Sequence, residues 1–199
     1  MLKIGIIGAG NAGNQVVATA FEKEAGIDLF AINCSETDLK TLPDAIPKAL
    51  IGDGNGAGKN REDSKKFLGA AIQDFIYEED VKKFITGLDI LFIVSSTGGG
   101  TGSGIVPVLT AVIKQVYPTV YPIPVGIVSA LKEGLSTHEN SLEYFMEIRD
   151  NLKDSTCMVY DNEVFTDCSN DVMMKSINER IVDDIVVLSG YYNFITKYA

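Results

Sequence analysis

The 199-residue sequence contains no tryptophan, a single histidine (His138) and only three cysteines (Cys34, Cys157 and Cys168). The cysteines show no Cys-x-x-Cys spacing, and one histidine cannot complete a Cys/His zinc set or a His-based catalytic pair. The sequence therefore predicts reduced thiols, a polar helix-face position for His138, and no metal site built from protein side chains alone.

Positive charge and long apolar runs are also scarce. Lysine and arginine total 17 against 27 acidic residues, so the net charge is −10 at pH 7, and direct binding to nucleic acid is not expected. No apolar run approaches the length of a membrane span, and segment 1–8 is too short and glycine-interrupted for a signal peptide. We expect a cytoplasmic protein without a membrane partner, whose 46% hydrophobic content buries a substantial core.

Glycine, in contrast, is concentrated in one place, residues 98–104. A β-branched apolar run, residues 88–94, precedes this segment, and helically spaced apolar residues, 105–117, follow it. Glycines let several main-chain N–H groups point at one anion, and the N-terminus of the next helix reinforces them. The pattern predicts a phosphate cradle, to which Thr101 and Ser103 add hydroxyl donors. Because the loop contains no lysine, it is not the loop of P-loop nucleotidases.

An earlier segment, Gly8-Ala9-Gly10-Asn11-Ala12-Gly13, follows a predicted strand over 2–7 and spells the Gly-x-Gly-x-x-Gly dinucleotide fingerprint. In that fingerprint an acid at the end of the second strand holds the ribose, whereas the predicted strand 28–33 ends in Asn33. A dinucleotide cofactor also leaves the second glycine loop unexplained. An NAD-dependent oxidoreductase is therefore retained only as a weaker alternative.

The remaining patterns predict alternating strands and helices, and hence an α/β fold. The predicted elements are helices over 62–78, 141–152 and 171–198, strands over 123–130 and 156–160, a loop over 43–61 and a solvated charged face over 78–83. Segment 52–60 nearly spells a lysine-type phosphate loop, but no strand is predicted before it. The last helix carries an apolar stripe from Met174 to Ile195 and is apolar nearly all round, which predicts packing on more than one side.

The segment Gly98-Gly99-Gly100-Thr101-Gly102-Ser103-Gly104 is similar to the signature loop of the tubulin/FtsZ family, in the form that tubulins use. The resemblance covers essentially the whole chain. It implies a GTP-binding GTPase with a Rossmann-like, open, mainly parallel sheet, helices on both faces and a long central helix at the end. Residues 1–170 would form the GTP-binding domain, and residues 171–199 the helix that leads to a second domain.

By this resemblance GTP or GDP is the cofactor, with Mg²⁺ held mainly by the nucleotide phosphates. The residues expected to bind the nucleotide are Gly10, Asn11, Asn14, Asn33, Ala57, Gly58, Lys59, Gly98, Gly99, Gly100, Thr101, Gly102, Ser103, Glu133, Asn162, Met174 and Asn178. The asparagines at 14, 162 and 178 would face guanine, with Met174 over its ring and Glu133 on the ribose. The family's arginine four residues after that glutamate is Thr137 here.

Gly56-Ala57-Gly58 resembles FtsZ, whereas the signature loop and Asp161-Asn162-Glu163 resemble tubulin. This mixture is similar to the plasmid- and phage-encoded TubZ branch, and it implies head-to-tail filaments that move DNA through a DNA-bound adaptor protein. An FtsZ-type cell-division GTPase is the main alternative. A nucleotide-stabilised interaction module that never turns over is a further alternative.

Members of this family complete hydrolysis in trans, through an acidic loop after the central helix that is pressed onto the next subunit's nucleotide. The sequence ends at residue 199, within that helix. We therefore expect no catalytic residue in this chain, and a GTP-binding fragment that by itself is nearly inactive and does not polymerise.

Overall fold

The computed structural model describes residues 2–153, 155–165 and 169–198. Its centre is a six-stranded sheet in the order β3-β2-β1-β4-β5-β6, and every neighbouring pair is parallel. The strands are Ile4–Ala9 (β1), Asp28–Ser35 (β2), Lys48–Gly54 (β3), Ile90–Ser96 (β4), Tyr121–Val128 (β5) and Met158–Asp161 (β6). The central strands β1 and β4 are buried along nearly their whole length, which explains their continuous apolar sequences.

Helices cover both faces of this sheet. They are Gly10–Glu22 (α1), Glu36–Lys40 (α2), Arg61–Tyr77 (α3), Glu79–Thr86 (α4), Thr101–Val116 (α5), Leu135–Asn151 (α6) and Asn170–Tyr198 (α7). Helices α3 to α6 pack on one face of the sheet, where they form a core with Ile7 of β1. Helices α1 and α7 pack on the other face, where they form a core with Ile6 of β1. The predicted fold class, a Rossmann-like parallel sheet ending in a long helix, is confirmed.

The strand order places a switch point between β1 and β4. From β1 the chain runs outward through β2 to β3, then returns to β4 on the other side of β1. The loops that follow β1 and β4 therefore leave the sheet in opposite directions and open a crevice between them. Ligands of open α/β sheets bind at this position.

Several segments differ from the prediction. Helix α2 is not predicted, and α6 begins at Leu135 rather than at residue 141. Residues 48–54 form the edge strand β3, which directly precedes the Gly-Ala-Gly loop, where the sequence predicts only a loop. Only Ile51 of this strand is fully buried, and its apolar run stops after three residues at Gly52, which has φ +105°. Residues 79–86 form helix α4, whereas the sequence predicts a solvated charged face in this region. The helix packs on the core through Val81 and Ile85, which lie between charged neighbours.

The predicted terminal helix is present as α7, which packs on α1. Ile177, Ile181 and Ile185 of the predicted stripe are buried, whereas Val187, on another side, is 68% exposed. The side chains after residue 190, and Cys168, lie outside the described part of the chain. Within that part, no helix has both the length and the apolar character needed to cross a membrane.

Candidate functional site

Two adjoining cavities lie at the carboxyl edge of the sheet and share Ala12 and Ser96 in their walls. The first, of about 390 Å³, lies at the switch point and is called the loop cavity. Its wall comprises Ala9, Gly10, Asn11, Ala12, Asn33, Ser35, Asp38, Asn55, Gly56, Ala57, Gly58, Ser96, Gly99, Gly100, Thr101 and Gly102. The second, of about 330 Å³, lies between the β5 loop and α7 and is called the amide cavity.

The loop cavity is formed by three main-chain segments in close contact. A Cβ atom on Gly100 would lie 2.8 Å from the main chain of Lys59, and one on Gly102 would lie 2.8 Å from the carbonyl oxygen of Ala9. Larger residues at these positions would therefore force the segments apart. A Cβ atom on Gly99 would meet no atom within 4 Å, although Gly99 lines the cavity.

These contacts favour an anion in the loop cavity. Helix α5 begins at Thr101, so the N–H groups of its first turn have no acceptor within the helix. The helix dipole adds positive potential at the same point. The part of the predicted phosphate cradle from Gly99 to Gly102 is thus compatible with the backbone geometry, and Gly10 (φ +70°) packs against it.

Side chains of α3 hold the glycine loop from behind. Arg61 is only 3% exposed, and its Nη2 donates to the main-chain oxygen of Ser103 at 2.9 Å. Its Nη1 donates to Glu143 at 2.7 Å and to Glu147 at 3.0 Å. The Ser64 hydroxyl donates to the main-chain oxygen of Gly100 at 2.8 Å. The carbonyl groups of the loop are therefore bonded on the side away from the cavity.

Asn140 of α6 links the glycine loop to the Gly-Ala-Gly segment. Its Nδ2 donates to the main-chain oxygens of Lys59 and Gly98, at 3.0 Å each. Neither Asn140 nor Arg61 is among the site residues that the sequence predicts. The one local signal was an arginine at the first position of a helix, where the dipole disfavours a cation.

Three of the expected phosphate contacts, Gly98, Ser103 and Lys59, are not where the sequence predicts them. Gly98 lines neither cavity, and its main-chain N–H donates to the Ser96 hydroxyl at 3.3 Å. The Ser103 hydroxyl is buried and donates to the main-chain oxygen of Gly99, so Ser103 does not line either cavity. A serine on a helix commonly bonds the carbonyl four residues back. The Lys59 side chain likewise lines neither cavity, and it is the main chain of this residue that contacts Gly100. Ala57, Gly58 and Thr101 do line the loop cavity.

The Cys34 thiol lies beneath the loop cavity, near the Thr101 hydroxyl. Burial raises the pKa of Cys34 to about 11, and burial likewise raises the pKa of Cys157 to about 11. Both thiols are therefore neutral at pH 7, and both are free in the described part of the chain.

The amide cavity contains most of the residues expected around the base and ribose. Asn162, Asn178, Met174 and Glu133 all line it. Asn178 is 9% exposed, and Glu133 is held in place because its Oε1 accepts from the main-chain N–H of Ala130 at 3.0 Å.

Other residues of this cavity were not singled out from the sequence. They are Ala12, Gln15, Ser96, Ile127, Ser129, Lys132, Asn170, Met173 and Ile177. Lys132 Nζ donates to Asn170 Oδ1 at 2.8 Å, which ties the loop after β5 to the start of α7.

Asn14 does not have the position expected for it. The sequence predicts that it faces the base, but it is 1% exposed and lines neither cavity. In the amide orientation that satisfies both ends, Nδ2 donates to the oxygens of Gly8 (2.9 Å) and Ile32 (3.3 Å), and Oδ1 accepts from Asn33 Nδ2 at 3.0 Å. Asn14 therefore connects α1, β1 and β2. Asn33 is also buried, but it does border the loop cavity.

A doubly wound parallel sheet with a glycine-lined cavity at its switch point defines the class of nucleotide-binding α/β folds. Residues 3–170 match the description "Tubulin/FtsZ family, GTPase domain". The chain belongs to the tubulin/FtsZ family.

CetZ1 of Haloferax volcanii is 33% identical over 95% of this chain and 50% of its own length. TubZ of Clostridium botulinum C phage is 31% identical over 70% of this chain and 38% of its own. A GTPγS-bound protofilament of Haloferax volcanii CetZ2 gives a TM-score of 0.83 at 25% identity, covering 94% of this chain and 58% of that one.

The chain therefore spans about half the length of CetZ1, or less in the case of TubZ. Relatives from the CetZ, TubZ and FtsZ branches all match it. These matches confirm the predicted family, but they do not single out the predicted TubZ branch.

Proposed function

We propose that the chain binds GTP or GDP across the two cavities, with the phosphates in the loop cavity and the guanine in the amide cavity. The observation that carries this proposal is that the main-chain cradle adjoins, through Ala12 and Ser96, a cavity bordered by amide side chains. Main-chain N–H groups at a helix N-terminus bind phosphate without a lysine. An asparagine amide can donate to guanine O6 while its oxygen accepts from the ring N–H.

In this proposal the site residues have distinct roles. Gly10, Asn11 and the segment 99–102 hold the phosphates, and the segment 56–58 closes over the terminal one. Asn162 and Asn178 read the base, Met174 covers part of its face and Glu133 meets the ribose. Asn14 and Ser103 support the site from within the fold, and Lys59 contributes its main chain.

The loop cavity also suits Mg²⁺. Among the described residues, its wall contains the carboxylate of Asp38 and no lysine or arginine. Mg²⁺ typically binds to one or two carboxylates together with substrate phosphates, and when bound it would neutralise part of the phosphate charge. The phosphates themselves would remain its main ligands.

Members of the family are GTPases, and we propose that this chain functions in GTP-dependent filaments. The relative described as a protofilament supports head-to-tail self-association. The water-positioning group would come from a neighbouring subunit, so near inactivity of the 199-residue chain alone stays a prediction. The division into a domain of residues 1–170 and a linking helix of residues 171–199 also stays a prediction.

DNA segregation through an adaptor protein stays a prediction, with cell division as its alternative, since matching relatives carry both TubZ and FtsZ names. An NAD-dependent oxidoreductase receives no support from the family match. A nucleotide-stabilised interaction module would release no phosphate from GTP at any protein concentration. A filament GTPase would release phosphate once it assembles.

Calorimetric titration with GTP, GDP, ATP and NAD⁺ tests the proposal. GTP should bind more tightly than ATP by at least about tenfold, on the scale of one good hydrogen-bonded contact to a base edge. Asn162→Ala and Asn178→Ala should each reduce that preference, whereas Asn151→Ala, at the exposed end of α6, should not. Equal affinity for GTP and ATP, or tighter binding of NAD⁺, would contradict it.

A further inference from the structure

Asp38 stands out because it is a carboxylate in the wall of a cavity suited to phosphate. It lies on α2 and is half-buried, and among the described residues it is the only charged side chain bordering the loop cavity. The Asn33 Nδ2 donates to its Oδ2 at 3.3 Å. Its main-chain N–H donates to the Ser35 hydroxyl at 3.2 Å, which fixes the turn that carries it.

An acid at this place opposes the binding of a free nucleotide. The phosphate groups of GTP carry several negative charges, and repulsion between like charges is strong where water is partly excluded. No lysine or arginine of the described cavity wall offsets this repulsion between Asp38 and the phosphates. A carboxylate facing phosphates is therefore favourable only when a cation lies between them.

The neighbouring groups fit a hard divalent cation. Ser35 and Asn55 border the same cavity and offer neutral oxygen donors beside the carboxylate. Mg²⁺ prefers this chemistry, because it retains several waters and takes one or two carboxylates plus the phosphate oxygens. An acid that merely stabilised the first turn of α2 would not need to border the cavity. Glu36 already supplies an acidic side chain in that first turn.

We propose that Asp38 is the protein group that holds Mg²⁺ against the bound phosphates, so that its charge couples nucleotide binding to cation binding. This inference rests on the proposed function, since the phosphates must lie in the loop cavity. It makes Asp38 repulsive toward the nucleotide without the metal and attractive with it.

The near-isosteric substitution Asp38→Asn separates these two effects in GTP titrations of the 199-residue chain. With EDTA the variant should bind GTP more tightly than the wild type, by about threefold or more, because one repulsion is removed. With Mg²⁺ it should bind more weakly than the wild type, by about threefold, since its gain in affinity from Mg²⁺ falls by about tenfold. A change of the same sign in both conditions, or no change, would overturn the proposal.

Two variants serve as controls. Glu36→Gln removes a charge from the same helix, at an exposed site paired with Lys40 at 3.0 Å, and should leave the Mg²⁺ dependence unaltered. Asp38→Glu keeps the charge and should restore most of the coupling. If thermal unfolding shows that Asp38→Asn is not folded, Asp38→Ser takes its place. It should likewise bind GTP more tightly with EDTA and more weakly with Mg²⁺.

A direct readout of the metal is independent of GTP affinity. Electron paramagnetic resonance of Mn²⁺ with saturating GDP should show tighter Mn²⁺ binding to the wild-type complex than to the Asp38→Asn complex. Equal Mn²⁺ affinity would contradict the role of Asp38. Wild-type protein that bound GTP neither with EDTA nor with Mg²⁺ would instead contradict the proposed function, so the two failures are distinguishable.

Discussion

Arg61 Nη2 lies 2.9 Å from the main-chain oxygen of Ser103, and this hydrogen bond joins the start of α3 to the start of α5 across 42 residues of sequence. The guanidinium sits at a helix N-terminus, where the dipole disfavours a cation. Glu143 and Glu147 offset that cost from α6. The arginine thus holds three helices around the glycine loop.

Arg61→Met should lower the free energy of unfolding by about 2–3 kcal/mol, the scale of hydrogen bonds to a charged group. It should also weaken GTP binding, because the carbonyl of Ser103 loses its donor. Urea unfolding and calorimetry would measure the two effects. The matched control is Arg149→Met, which removes an exposed arginine paired only with its neighbour Asp150 and should alter neither quantity. An Arg61 variant as stable as the wild type would show that the network does not stabilise the fold.

Gly99 and Gly102 should respond differently to substitution. A side chain at Gly99 meets open space, so Gly99→Val should keep the wild-type melting temperature yet abolish GTP binding by occupying the cavity. Gly102→Val would press on Ser95 and on the carbonyl oxygen of Ala9, so it should lower the melting temperature as well. Thermal unfolding with and without GTP distinguishes the two.

Gly69, in the middle of α3 and exposed, provides the control for glycine substitution. No atom lies within 4 Å of a Cβ atom placed there, so Gly69→Ala should raise the free energy of unfolding by about 0.5–1 kcal/mol and leave GTP affinity unchanged. Tight GTP binding by folded Gly99→Val would place the phosphates elsewhere.

Asn140→Ala should weaken GTP binding by up to about thirtyfold, since two hydrogen bonds worth about 1 kcal/mol each are lost from the loops at Lys59 and Gly98. The variant should remain folded, because the bond to Lys59 is exposed and the bond to Gly98 is only partly buried. Hydrogen exchange should accelerate at Gly99 and Gly100 in the variant. Unchanged affinity would mean that the two loops keep their arrangement without this side chain.

The stability of the protein should depend on pH through Cys34. Burial raises the pKa of this thiol in the folded state from 9.0 to about 11. The stabilisation is complete below the unfolded pKa and is lost as pH rises through the folded one. The difference in unfolding free energy between the wild type and Cys34→Ala should therefore decrease from about pH 9 to pH 11. A constant difference across this range would show that the thiol is not protected from ionisation.

The parts of the fold that the sequence predicts are those whose pattern is local. The strand over 88–94 and the glycine loop after it are recognisable because burial on both faces selects continuous apolar residues. The edge strand β3 was missed because Gly52, Asp53 and Gly54 interrupt it, and only one of its residues is fully buried. In α4 two buried side chains among charges were too few to indicate a helix.

The same limit applies to the candidate site: only residues that form a local sequence pattern are predictable. Glycines of the cradle are adjacent in sequence, whereas Arg61 and Asn140 act on residues about 40 to 80 positions away and leave no spacing pattern. Asn14 was assigned from its neighbours in a motif. The direction of its side chain depends on carbonyl groups of two different strands, which no single segment encodes.

The close approach at Gly98 constrains how this sequence can change over time. A Cβ atom there would overlap the side chains of Thr137 and Ser129, which belong to α6 and the loop after β5. Any residue other than glycine would be tolerated only after both neighbours had become smaller or moved. A mutation at position 98 should therefore be accepted only when positions 129 and 137 change with it.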